Sequence, residues 1–256
     1  MKMEDIYQHL AKYKRNVLGI MENGEWRKNP YKHILPKKHL NINFIQSKYY
    51  NALLKLTECK SIKLHKDFHH LNSSQALCFN LFVPIREEKR FQPLFDLLLV
   101  KDEVECTKFE YIEDPNEETN FDFFIKGRNT QYFFEIKYTE STFGSAVNDK
   151  RHERKYENIY KERLEKITNI PMEIFFRDYQ LWRNLIYTDK GIVVFVIPEF
   201  REDLLEKINN AKSKMKNTDN VKMVSIEKIC KTYQQLKLGD LESHYSEFYN
   251  KYFAIQ

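Results

Sequence analysis

Glycine is scarce in this sequence, six in 256 residues, which excludes long flexible linkers between separate modules. No apolar run is long enough to span a bilayer, and the N-terminal stretch MKMEDIYQHLAKYKRN lacks the apolar core of a signal peptide. The four cysteines, Cys59, Cys78, Cys106 and Cys230, are scattered without a C-x-x-C pair. That spacing fits neither a zinc knuckle nor the disulfide framework of a small secreted domain, and it points to a reducing compartment. The expectation is a soluble cytoplasmic protein with no membrane partner. Internal repeats and low-complexity tracts are absent as well.

What the chain does have is 42% hydrophobic and 14% aromatic residues, the content of a folded protein. Its length suits one large domain, or one domain with an appended helical part. A net charge of +5 is compatible with a polyanionic partner without requiring one.

The stretch NFDFFIKGRNTQYFFEIKYTESTFG, Asn120 to Gly144, organises the rest. Two aromatic-rich runs flank the turn signal Lys-Gly-Arg-Asn, the pattern of a β-hairpin. Asp122 falls near the start of the first run, and Glu135 and Lys137 fall in the second. With a strand period of two, Glu135 and Lys137 point to one side and Ile136 to the other. An acid and an amine side by side on a buried strand are costly unless they hold something between them. Two carboxylates suit a divalent cation, and a lysine suits the orientation of a water beside it. That is the equipment of metal-assisted phosphodiester hydrolysis.

Asp122 followed by Glu135-Ile136-Lys137 resembles the PD-(D/E)xK nuclease superfamily, with its restriction-endonuclease-like fold. The surroundings strengthen the likeness: YKHILP (Tyr31 to Pro36), HHLNSSQALCFNLFVP (His69 to Pro84), FEIKYTE followed by FG, and RDYQLWRNL (Arg177 to Leu185) resemble a bacterial branch of such proteins. The likeness runs from about Tyr31 to about Pro198. One departure is that Phe121, not proline, precedes Asp122. The resemblance implies an α/β restriction-endonuclease-like core, a mixed central sheet flanked by helices at about residues 69–198. An N-terminal helical cap (about 1–60) and a C-terminal extension (about 199–256) would complete a single nuclease domain. It implies Mg²⁺, with Mn²⁺ as substitute, held by Asp122, Glu135 and the carbonyl of Ile136, and Lys137 positioning the attacking water. It further implies DNA as substrate, in restriction or anti-phage defence, with a homodimer or a defence-system protein as partner.

Taken in order, residues Met3 to Met21 have helical spacing through Ile6, Leu10, Tyr13, Val17 and Ile20, and Gly24, Asn29 and Pro30 break the chain. Asn43 to Leu56 resumes helical spacing. His65 and His69 are four apart, but no third zinc ligand accompanies them. Asn72 or Ser73 can cap a buried helix that Pro84 should end. Within it, Gln75 either bonds to neighbouring backbone or, as the resemblance implies for a first core helix, lends its amide to the active site. Phe91 to Val100 reads as a further helix, and Lys108 to Ile112 as a short strand. Glu110 on that strand is either a third acid at the metal or a solvated residue. Asp114 to Glu118 is a turn. Glu140, three beyond Lys137, would face away on a continuing strand and is a supporting residue rather than a ligand.

Val147 to Ile167 reads as a helix with Lys/Glu pairs four apart, its basic first turns DKRHERK being placed for phosphate contact. Pro171 to Tyr187 reads as a helix and Ile192 to Pro198 as a buried central strand. A helix over Glu199 to Met215, a strand over Val221 to Ile226 and two short helices follow. Two other functions fit the same residues. One is a non-catalytic or partner-dependent nucleic-acid-binding subunit with the nuclease fold. The other is an interaction protein in which Glu135 and Lys137 merely pair.

Overall fold

The computed structural model describes residues 2–58 and 62–255. Cys59 therefore lies outside the described residues, while Cys78, Cys106 and Cys230 are free thiols. The chain divides into two compact units, Met1–Val100 with Ser225–Gln256, and Lys101–Val224. The segment expected to open the nuclease core, His69 to Pro84, thus belongs with the N- and C-terminal elements.

The first unit begins with α1 (Met3–Asn16), shorter than its apolar spacing suggested. A two-stranded hairpin, β1 (Gly24–Trp26) and β2 (Asn29–Tyr31), follows where the sequence showed only chain breakers. Its turn residues Arg27 and Lys28 both take positive φ, the conformation such tight turns demand, and neither residue type advertises it. Then come α2 (Ser47–Glu58), α3 (Ser74–Glu87) and α4 (Gln92–Leu98). Ser73 caps α3 through its hydroxyl, which accepts from the amide of Ala76 at 3.3 Å. Every residue of α3 from Gln75 to Ile85 is buried.

The second unit holds the five-stranded mixed sheet, β3 (Val104–Ile112), β4 (Asn120–Gly127), β5 (Gln131–Ile136), β6 (Ile192–Ile197) and β7 (Val221–Ser225), in spatial order β3-β4-β5-β6-β7. β3, β4 and β5 form an antiparallel meander, and β6 joins β5 in parallel. The helices between β5 and β6 are α5 (Lys150–Lys155), a π-helical turn Tyr156–Tyr160, α6 (Lys161–Ile167), α7 (Met172–Arg177) and α8 (Tyr179–Leu185). α9 (Glu202–Lys212) links β6 to β7. This is the α/β arrangement of a restriction-endonuclease-like core. Phe133, Phe195, Tyr160, Phe175, Trp182 and Leu185 are among the residues of its apolar core. The single helix read over Pro171 to Tyr187 is broken at Asp178, whose ψ of 47° leaves the helical region.

The meander is anchored at one turn. Asp102 accepts from the amides of Glu103 (2.8 Å), Asn129 (3.0 Å) and Thr130 (3.2 Å) and from the Tyr132 hydroxyl (3.0 Å). Gly127 makes room for it, since a Cβ there would meet Asp102 Oδ2 at 2.2 Å.

The chain returns to the first unit with α10 (Ile226–Gln235) and α11 (Asp240–Tyr252). Here lies the reason α3 outruns Pro84. Proline has no amide to give to the carbonyl of Asn80 one turn earlier; His244 of α11 donates to that carbonyl from Nε2 at 2.7 Å instead. His244 is fully buried, and its Nδ1 has no hydrogen-bond partner among the described residues. Burial lowers its pKa from 6.5 to about 4. Between those values the unfolded chain takes up a proton that the folded chain refuses. Stability is therefore full above pH 6.5 and falls as the pH drops, the loss complete below about 4. The expected loss is about 3 kcal/mol from this residue. Urea midpoints measured from pH 7.5 down to 4 should decline, and His244→Gln should flatten the decline. A curve as steep in the variant would refute the assignment.

Candidate active site

The hairpin register aligns the acids. The ladder of β4 and β5 ends at Phe123 opposite Phe134, and one step further sets Asp122 across from Glu135 on the same face. The bond that closes this end is unusual for a ladder: Asp122 Oδ2, not a backbone oxygen, accepts from the amide of Ile136 at 2.7 Å. Beyond β5 the chain stays hydrogen-bonded to β6, through Lys137 N to the carbonyl of Val196 at 3.1 Å. Lys137 therefore keeps the strand's alternation and points with Glu135.

The side chains meet as that alternation requires. Lys137 Nζ lies 2.8 Å from Glu135 Oε1, and both residues are buried, at 7% and 2% exposure. Gln180 of α8 closes a triangle with them. Its Nε2 donates to Glu135 Oε1 at 2.8 Å, and its Oε1 accepts from Lys137 Nζ at 2.9 Å. Gln180 is held in turn by its own amide, which donates to the carbonyl of Phe143 at 3.1 Å. The Phe143 ring lies 5.6 Å from Lys137 Nζ, near enough for a cation–π contribution.

Charge in this site is unbalanced. Burial first, and then the neighbouring Glu135 carboxylate, push Asp122 well above the usual carboxylate range; Lys137 and the Ile136 amide pull it back, and Glu110 adds to the push. Lys137 is raised although burial opposes it, because Glu135 and Glu140 favour its charged form. Two carboxylates thus share one ammonium in a place with little water, and an added cation would relieve the strain on Asp122. The donors are all oxygens, the set a hard divalent cation takes. Among the described residues no group of three or more His, Cys, Asp or Glu side chains is arranged to hold a metal ion. A cation here would rest on two carboxylates completed by backbone or water oxygen, and His65 and His69 form no zinc site.

The remaining sequence candidates fall as follows. Glu110 adopts a left-handed backbone, φ 50°, between the rungs Phe109–Phe123 and Tyr111–Phe121. Such a conformation costs a non-glycine residue of order 1 kcal/mol. Its carboxylate accepts from Asn120 Nδ2 at 2.6 Å and acts on Asp122 through space. Gln75 belongs to the first unit, where its amide bonds to the carbonyl of Lys63 at 3.1 Å and the amide of His65 at 2.8 Å. Glu140 does not lie on a continuing strand, since β5 ends at Ile136. It turns back to accept from the amide of Tyr138 at 2.8 Å, close enough to act on Lys137. Arg201 holds the same segment from the other direction, donating to the carbonyl of Tyr138 at 3.1 Å.

Two features escaped sequence reasoning. Gln180 stood inside the quoted stretch RDYQLWRNL without a role, and the break before α8 was the missing cue. Glu117, read as part of a turn, is a fully buried hub. Its carboxylate accepts from Arg183 Nε (2.7 Å), the hydroxyls of Tyr160 (2.8 Å), Tyr187 (2.9 Å) and Thr119 (2.6 Å), and the Thr119 amide (2.8 Å). It ties the turn before β4 to α8.

The family described as Restriction Endonuclease associating with ARP matches residues 7–253. No curated protein and no solved structure matches the chain.

Proposed function

The chain belongs to the family of restriction endonucleases associating with ARP, and on that premise we propose that it is a divalent-metal-dependent deoxyribonuclease of restriction or anti-phage defence. The observation that carries the reading is the convergence of Asp122, Glu135 and Lys137 on one sheet face, with Gln180 locking the last two together. Asp122, Glu135 and the carbonyl of Ile136 would hold Mg²⁺, with Mn²⁺ able to replace it. When bound, the ion supplies Lewis-acid polarisation of the phosphoryl group and a more acidic coordinated water. Lys137 donates toward the attacking water and the non-bridging phosphate oxygens, and its charge is maintained by Glu135 and Glu140. Gln180 fixes the direction of the ammonium, and Phe143 and α8 keep bulk water from it. Glu110 tunes Asp122 and is a reserve carboxylate for a second ion. DNA is the substrate, and ARP is the protein partner that the family's description names.

Incubation of supercoiled plasmid with the purified chain tests this directly. Nicked and linear products are expected with Mg²⁺ or Mn²⁺ and none with EDTA. Products that persist in EDTA would refute the metal requirement. Cutting that begins only when ARP is added would assign the partner-dependent form of the same chemistry.

A further inference from the structure

The second unit carries a cleft of about 420 Å³ that the chemistry above does not use. It shares two chain segments with the active site. Thr142 and Ser145, on one lip, flank Phe143, and Arg177 and Asp178 precede Gln180 by three and two positions. Lys207 and Lys214 also line it, together with the buried Trp182 and the apolar Ile174 and Ala211.

Its charge is the informative part. Arg177 is already neutralised by Asp178, Nε and Nη2 lying 3.0 and 2.9 Å from Oδ2. The two lysines are not. Lys214 Nζ donates to the carbonyl of Asn210 at 3.1 Å and pairs with no acid, and Lys207 makes no ion pair or side-chain hydrogen bond among the described residues. A cleft lined by two uncompensated ammonium groups, two hydroxyls and apolar side chains asks for a ligand with regularly placed negative charge. Trp182 is only 1% exposed, so no ring face is offered for a base to stack on. Contact is therefore to backbone rather than to base.

We propose that this cleft seats the sugar–phosphate backbone of the DNA strand beside the scissile phosphate, Lys207 and Lys214 each neutralising one phosphate. The inference rests on the nuclease reading and extends it to the path of the substrate. Sequence is not read here; the cleft supplies affinity and register.

Fluorescence anisotropy of a labelled DNA duplex in EDTA, titrated across salt, separates the two claims. Each phosphate contact contributes about 0.9 to the slope of log K against log salt for duplex DNA. The variant Lys207→Ala/Lys214→Ala, which alters only partly or fully exposed side chains, should show a slope shallower by about 2 and an affinity lower by at least about tenfold at low salt. Asp122→Ala should keep the parental slope. An unchanged slope in the double variant, or no DNA binding by the parent, overturns the cleft assignment. A loss seen with an RNA duplex but not with DNA overturns it in favour of RNA. Failure of the nuclease reading shows elsewhere, as undiminished plasmid cutting by Asp122→Ala.

Discussion

Lys137→Met should cut plasmid at least about a thousandfold more slowly than the parent, a barrier increase of about 4 kcal/mol. The methionine keeps the aliphatic stem that fills the site and removes only the ammonium. Two consequences of the geometry combine in that loss. The attacking water loses its donor, and Glu135, 2.8 Å from the missing nitrogen, is left as a buried anion beside Asp122. Gln180→Ala is the informative comparison. Gln180 touches Glu135 and Lys137 and would act only through them. Its loss should slow cutting by about one to two orders of magnitude, with binding of DNA unchanged. Both variants should retain the parental circular dichroism spectrum, with Lys137→Met melting at a lower temperature because its buried pair is broken. A fully active, folded Lys137→Met protein would remove Lys137 from the chemistry.

Glu117→Ala should produce the largest loss of stability, about 3–5 kcal/mol, read as a fall in the urea midpoint. Removing the carboxylate strands the Arg183 guanidinium and leaves the hydroxyls of Tyr160 and Tyr187 without their acceptor. Burial alone would raise the Glu117 pKa, but Arg183 and the bonds from Thr119 and Tyr160 outweigh it and hold the group below its ordinary value. The sign follows: the stabilisation is present above the ordinary glutamate range and is lost as the pH falls through the lowered value. A double variant, Glu117→Leu with Arg183→Met, removes both charges and should cost less than Glu117→Ala, because no charge is left behind. Equal destabilisation by the two would mean that packing, not charge, governs this hub.

How far the sequence carries these arguments depends on whether the information is local. The β4–β5 hairpin and β6 were legible because aromatic and β-branched runs bounded by turn residues leave few alternatives, and period two then put Glu135 and Lys137 on one face. The convergence with Asp122 follows from hairpin register, itself a local property. Gln180 was not legible, because its role depends on a helix break at Asp178 and on a contact 43 residues from Lys137. Glu117 was hidden for the opposite reason. In Asp-Pro-Asn-Glu-Glu it looks like solvated turn chemistry, and apart from Thr119 its partners lie 43 to 70 residues away. Pro84 misled because the stop rule assumes an orphaned carbonyl, and His244 supplies the missing donor. The division into two units was likewise out of reach, since it depends on α10 and α11 rejoining the N-terminal elements.

The knot at Asp102 bears on which changes in length this chain can absorb. Because Asp102 clamps Asn129, Thr130 and Tyr132 at once, the turn between β4 and β5 has one permitted length. An insertion of a single residue between Gly127 and Gln131 would advance one strand against the other by one position and exchange its two faces. Asp122 and Glu135 would then look out from opposite sides of the sheet, with every residue of the site still present in the sequence. By contrast, residues 147–149, between Ala146 and α5, form no helix or strand and lie outside that clamp. Length variation among related chains should therefore be tolerated after Ala146 and forbidden at the hairpin tip. A working site is inherited here as a spacing as much as a set of side chains.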